Sequence, residues 1–236
     1  DSEPLTVQDT EIMKKIYVVG LGLHYMSWIN DAIHVENMEE ADIVLFTGGE
    51  DVSPSLYGEE NVSSFSNPDR DMYEKTMFEE ACKNNKNIIG ICRGSQLLTA
   101  LNGGKLIQDV TNHALASGHN IRILNKGLIM KATSTHHQMM YPFNLPKEDY
   151  KLIGVSEKRR STHYLTANRH IVSDVVPDLD KFIPYEPEIV YYYKTRSLAI
   201  QPHPELMEKD SDLVVFLNDL IEDIVAKKVN ICDKYF

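Results

Sequence analysis

A chain of 236 residues with 42% apolar and 25% charged residues has material for one α/β domain with a real core. Its net charge of −11 comes from 35 acidic against 24 basic residues, and four acids (Asp1, Glu3, Asp9, Glu11) crowd the first twelve positions. Without that segment the charge is about −7, an ordinary solubilising value, and no basic stripe offers a footprint for phosphate backbones, so nucleic acid is not an expected ligand.

Three cysteines, Cys82, Cys92 and Cys232, are too few and too scattered for a disulfide framework, which fits a reducing compartment. No apolar run approaches the roughly 18 residues that span a bilayer, and the start lacks a signal-peptide pattern. The expected setting is soluble and cytoplasmic, without a membrane. Residues 1–12 read as an extension or an expression remnant ahead of Met13, and 13–236 as a single domain.

In chain order, Ile16 to Val19 is a β-branched and aromatic run ending at Gly20, consistent with a buried first strand. Asp42 to Phe46 is a second, stopped by Thr47-Gly48-Gly49. Residues 71–83 set Tyr73, Met77 and Ala81 on one face, with acids leading and Lys following, which predicts a helix. Ile88 to Ile91 is a short apolar strand, and Ser95 to Leu101 a helix ending at Asn102-Gly103-Gly104. Strand, helix, strand, helix predicts a parallel sheet covered on both faces. Residues 157–188 are polar, with several Pro and His, and predict an insertion or loop over one end of the sheet. Ile189 to Tyr193 and Ser197 to Gln201 flank a turn as in a hairpin, and Ser211 to Lys227 carries one apolar stripe of a surface helix.

The chemistry concentrates where an apolar strand runs into Gly90-Ile91-Cys92-Arg93-Gly94 and a helix starts at once. That is the context of a nucleophile elbow, with sulfur in place of a serine oxygen. Residues without a Cβ allow the close backbone approach such a turn demands, and the helix start sets partial positive charge beside the sulfur. The Arg93 amide would point at a substrate oxyanion. A lone cysteine after an apolar strand is equally the pattern of a buried structural thiol. Cys82, on the apolar face of its helix, and Cys232, in the tail, take that second reading.

A thiolate mechanism needs a base and a proton donor, and histidine serves as both. Among nine histidines, His203 in Gln201-Pro202-His203-Pro204-Glu205 follows a predicted strand, and Glu205, two residues on, leans to the same side if the segment is extended. The glycine pair 48–49 at another strand end is either a plain turn or a second oxyanion donor. His113 and His119 are six apart, and no acid pair completes a metal set in the sequence. The adjacent His136 and His137 point apart in an extended segment. No phosphate-binding loop appears, so no cofactor and no metal are expected.

GICRGSQ, the Gly-Gly-Glu-Asp strand end and QPHPE together resemble the class I glutamine amidotransferases, specifically their stand-alone γ-glutamyl hydrolase branch, the peptidase C26 group. FTGGEDVSPSLYGEE, Arg70-Asp71 with Glu74, and Ser134-Thr135-His136-His137-Gln138 resemble further segments of that branch, so the likeness runs from about Ile16 to Glu205. It implies a three-layer flavodoxin-like α/β fold, with a mostly parallel central sheet, helices on both faces and a small antiparallel extension. It also implies Cys92 as nucleophile, His203 as base, Glu205 as orienting acid, and the amides of Gly49 and Arg93 as oxyanion hole. Gln96 would contact the α-amino or α-carboxylate end of a γ-glutamyl substrate, with His136 and Gln138 lining the pocket partly through backbone groups. Glu50 stands where the branch usually has Gly, Ser95 replaces a common large apolar residue, and the segment before DIVLF is short.

Three functions follow. The chain is a free-standing hydrolase of γ-glutamyl amides, a glutaminase subunit handing ammonia to a separate synthetase, or a non-catalytic relative kept for binding. The leaving amine, and whether the chain forms a homodimer, are left open by the sequence.

Overall fold

The structure, a computed structural model, describes residues 3–4 and 13–226. The first half contains β1 (Lys14–Val19), β2 (Ala32–His34), β3 (Ile43–Phe46), α1 (Pro68–Lys83), β4 (Asn87–Ile91) and α2 (Arg93–Leu101). Then come β5 (Lys105–Ile107), β6 (Asp109–Val110), β7 (Ala114–Ile123), β8 (Leu128–Thr135), β9 (Met139–Tyr141) and β10 (Tyr150–Ser156). The last part holds β11 (His163–Leu165), β12 (His170–Val172), the short α3 (Leu179–Phe182), β13 (Pro187–Tyr192), β14 (Ser197–Ile200) and α4 (Asp212–Val225).

Nine strands form one sheet in the order β2-β1-β3-β4-β14-β13-β10-β7-β8. The five from β2 to β14 run parallel. From β13 onward every pairing is antiparallel, so the extension expected to be small supplies four of the nine strands. The core follows from the period of two along each strand. Val44, Phe46 and Ile88 pack on one face under Phe78 and Ala81 of α1 and Leu97 and Leu98 of α2. Ile43, Leu45, Ile89 and Ile91 point to the other face, where Leu213, Leu217, Leu220 and Ile224 of α4 cover them. Strands buried on both faces read as continuous apolar runs, which is why β3 and β4 were legible.

Helix α1 starts three residues ahead of expectation because Asn67 accepts a bond from the Arg70 N–H and Pro68 opens the first turn. Helix α2 starts at Arg93 rather than Ser95, since the elbow passes straight into it. Residues 157–188 are more ordered than a loop: β11 pairs with β12 and with β6 in a separate three-stranded sheet, and α3 follows. Tyr191 and Tyr192 are buried and Tyr193 half-buried, so no ring of that run is exposed. The predicted end of the last helix at Lys227, the extension at 1–12 apart from residues 3–4, and Cys232 lie outside the described residues.

Two glycines make the elbow possible. A Cβ on Gly90 would sit 2.4 Å from the carbonyl oxygen of Gly94, and one on Gly94 would sit 2.2 Å from that of Phe46. Both obstacles are backbone, which cannot swing aside. Gly90→Ala is therefore expected to cost about 3 kcal/mol or more of stability in chemical denaturation, as an overpacking change at a rigid contact. A loss below about 0.5 kcal/mol would show that the turn relaxes freely.

Candidate active site

Cys92 lies between β4 and α2 with φ +52° and ψ −110°, a conformation that strains a residue with a side chain. Main-chain bonds hold it there. Its N–H donates to the Ile200 carbonyl at 2.8 Å, and its carbonyl accepts from the amides of Ser95 and Gln96 at 2.9 and 3.2 Å. The Ser95 hydroxyl donates to the same carbonyl at 2.6 Å, so the serine found in place of a large apolar residue ties down the elbow.

His203 and Glu205 meet beside this thiol. His203 Nδ1 is 2.5 Å from Glu205 Oε1, with the two side chains 13% and 2% exposed. The pair is not on an extended segment as expected: Pro204–Leu206 is a turn of 3-10 helix, and His203 stands at its start. The His203 amide donates to Thr133 Oγ1 at 2.7 Å, anchoring the turn to β8. Burial works against charge on this imidazole, but hydrogen bonds to Cys92 and Glu205 outweigh it and push its pKa up to about 10. With Nδ1 committed to Glu205, Nε2 is the nitrogen left for the sulfur.

That raised value has a consequence for pH. Stabilisation from the charged imidazole is fully present below its ordinary value of 6.5 and is lost as pH rises toward about 10. If the pair drives turnover, the alkaline limb of kcat/KM falls well above 6.5. Glu205→Gln is expected to move that limb downward and lower kcat by about 10²-fold or more, read from a pH–rate profile. An unmoved limb would remove Glu205 from the pair.

The strand end after β3 faces the elbow. Gly49 has φ +143°, and a Cβ there would lie 2.0 Å from Arg70 Nη1, so this position demands glycine twice over. Arg70 clasps the loop, donating from Nη2 to the Gly48 carbonyl and from Nη1 to Glu50 Oε2, both at 2.8 Å, and from Nε to Glu74 Oε2 at 2.5 Å. Glu50, a departure from the family pattern, thus has a definite ion pair. The Arg93 side chain, 1% exposed, runs the other way and bonds Glu74 Oε2 at 2.9 Å and Asp71 Oδ1 at 2.5 Å. Asp71 also accepts from the Ser53 amide at 3.0 Å and from its hydroxyl. One buried network therefore couples α1, the glycine loop and the elbow.

Sequence reasoning used only the amide of Arg93 and overlooked Gln201. Gln201 Nε2 lies 3.6 Å from Cys92 Sγ, and its Oε1 accepts from Gln96 Nε2 at 3.1 Å. Its place directly before Pro202-His203 at the end of β14, the strand beside β4, was the available signal. Gln96 Nε2 also donates to the Gln138 carbonyl at 3.3 Å, so Gln138 presents its backbone to the site. The Gln138 Nε2 amide donates elsewhere, to Ser64 Oγ at 2.6 Å and the Gln108 carbonyl at 3.1 Å. His136 is buried and packs its ring on His113, with centroids 4.7 Å apart, while half-exposed His137 bonds Asp51 at 2.9 Å. Burial and the nearby Glu79 push the Cys82 thiol up to about 11, which leaves it a poor nucleophile.

The sequence offered no acid pair to go with His113 and His119, and the structure brings one acid, Glu188, to them. Their ligand atoms and those of Glu188 all lie within 4.8 Å of one another. Six residues of regular strand would span about 20 Å. Here β7 takes four steps from Leu115 to His119 against two on β8, with Gly118 at φ +68° in the bulge. The acid comes from β13, far along the chain.

Fold and elbow together define the class I glutamine amidotransferase-like proteins, and within that class the chain belongs to the peptidase C26 family, whose profile matches residues 7–158. It is 40% identical over 78 residues to Protein NtpR of Enterococcus hirae and 46% identical over 72 residues to the glutamine amidotransferase-like protein YvdE of Lactococcus lactis. Those alignments cover 32% and 30% of this chain and 33% and 30% of the relatives, so the similarity spans about a third of each relative's length. Among solved structures, a Thermoplasma acidophilum protein described as a GMP synthase subunit superposes with a TM-score of 0.55 at 17% identity, covering 94% of this chain and 96% of that one. PurLQS of Thermotoga maritima gives 0.55 at 13% identity, covering 89% and 98%. These likenesses carry the fold. No helix among the described residues is long and apolar enough to cross a membrane.

Proposed function

We propose that the chain is a free-standing hydrolase that cleaves the γ-carboxamide C–N bond of glutamine or a γ-glutamyl amide. The observation that carries this reading is the strained Cys92 beside His203, whose Nδ1 is 2.5 Å from Glu205 Oε1. In the proposed sequence, Cys92 Sγ attacks the γ-carbonyl carbon and the carbonyl oxygen takes the electron pair, facing the amides of Gly49 and Arg93. His203 gives its Nε2 proton to the leaving amine as the C–N bond breaks, and a γ-glutamyl thioester remains. A water molecule then attacks the thioester, losing its proton to His203, and glutamate leaves with the thiolate restored. Gln96 would orient the amino-acid end, with the Gln138 carbonyl beside it, and the adjoining His136 completes the wall.

The second reading is a glutaminase that passes ammonia to a separate synthetase. It is favoured by the fold shared with PurLQS and with the protein described as a GMP synthase subunit. Purified chain assayed alone separates the two, by ammonia release from glutamine against amine release from a panel of γ-glutamyl amides. Turnover of the amides without a partner supports the first reading. Inactivity on all of them, with ammonia release from glutamine only when a co-purifying protein is restored, supports the second.

A further inference from the structure

On the antiparallel half of the sheet, three imidazoles and a carboxylate are buried together. His113, His119, His136 and Glu188 are 1%, 6%, 5% and 0% exposed. Two of the imidazoles have one nitrogen hydrogen-bonded outward, and the third has a carboxylate near its outer nitrogen. His119 Nδ1 is 2.9 Å from the Asn120 carbonyl and His136 Nδ1 is 2.6 Å from the Gln138 carbonyl, while His113 Nε2 lies 3.2 Å from Glu186 Oε1. His119 Nε2, His136 Nε2 and both ring nitrogens of His113 have no hydrogen-bond partner, and neither has either oxygen of Glu188. Glu186, by contrast, is satisfied by the amides of Arg160 and Ser161 and the Tyr164 hydroxyl. Buried polar atoms left without partners are costly, and this cluster gathers several of them side by side.

The spacing explains the cost. His119 Nε2 is 3.0 Å and His113 Nδ1 3.7 Å from the same Glu188 oxygen, yet neither contact has hydrogen-bond alignment. Nitrogen and oxygen ligands about 2.0–2.1 Å from a tetrahedral ion stand about 3.3 Å from each other. Outward bonds from the remote ring nitrogens to carbonyls or a carboxylate are what orient metal-bound imidazoles and set their tautomers.

We propose that His113 Nδ1, His119 Nε2 and Glu188 bind a divalent zinc-type ion, beside the ring of His136 that packs on His113. None of these three ligands belongs to the Cys92–His203–Glu205 group, so the site is distinct from that centre. It joins the start and the bulge of β7 to β13. His136, packed on His113, bonds the Gln138 carbonyl, which also accepts from Gln96, and Gln96 bonds Gln201 beside the thiol. A surface cleft with Gly118, His119, Asn120 and Lys131 in its wall lies beside the cluster.

The test uses the whole chain carrying Cys92→Ser, so that the thiol cannot compete for metal. The protein is stripped with chelator, dialysed against Zn²⁺, and its zinc content measured by elemental analysis. About one zinc per chain is expected, with affinity lowered about 10-fold or more by the near-isosteric Glu188→Gln and by His119→Gln. Zinc content below about a tenth per chain, or zinc indifferent to both substitutions, overturns the proposal. Should those variants fail to fold by circular dichroism, Co²⁺ in the parent protein decides. Tetrahedral d–d bands without sulfur-to-cobalt charge transfer support the site, and their absence overturns it.

Discussion

Cys92→Ala is expected to remove hydrolysis of any γ-glutamyl amide by about 10⁴-fold or more, and Cys92→Ser nearly as much. The loss is large because the sulfur forms the covalent bond on which both halves of the proposed reaction depend. Serine in its place is a far weaker nucleophile at neutral pH. A γ-glutamyl electrophile should add one adduct per chain at Cys92, read by peptide mass mapping. Cys82→Ala should leave the rate unchanged, since that thiol's pKa is raised to about 11 by burial and Glu79. Labelling of Cys82 with full activity in the Cys92 variant would overturn the assignment.

Arg93→Met is expected to destabilise the fold by about 3–5 kcal/mol at neutral pH, measured by urea denaturation. The guanidinium is 1% exposed and bridges Asp71 and Glu74, which are 3% and 1% exposed, so its removal leaves two buried carboxylates with one positive charge fewer. Arg70 still holds Glu74, but Asp71 keeps only Ser53. Burial already pushes the Glu74 carboxyl up against the pull of both arginines, and without Arg93 it should take a proton more readily. The deficit of the variant should therefore shrink as pH falls through the carboxylate range. The double change Arg93→Met with Asp71→Asn should recover part of the loss. A cost below about 1 kcal/mol would mean that the network is more solvated than its burial indicates.

The candidate site was legible where its geometry is local. Gly90-Ile91-Cys92-Arg93-Gly94 is a strand end, a turn and a helix start in five consecutive residues, so chain order alone carries most of the spatial relation. His203 and Glu205 are likewise two residues apart, and they met even though the segment is a 3-10 turn and not the extended piece that was expected. Gln201 was overlooked because its contacts with Cys92 and Gln96 are 109 and 105 residues away along the chain. The side chain of Arg93 was overlooked for the same reason, its partners lying on a preceding helix.

By itself the sequence determined the βα order of the parallel half, the elbow with its two obligatory glycines, and the motifs that mark the family. All of these rest on steric rules and periodicities acting within a few residues. Only the tertiary structure decided what converges across strands. The bulge in β7 folds His113 toward His119, and the pairing of β13 with β10 sets Glu188 opposite them. Such convergence depends on register between strands distant in sequence, and a one-residue slip would turn each side chain to the other face of the sheet.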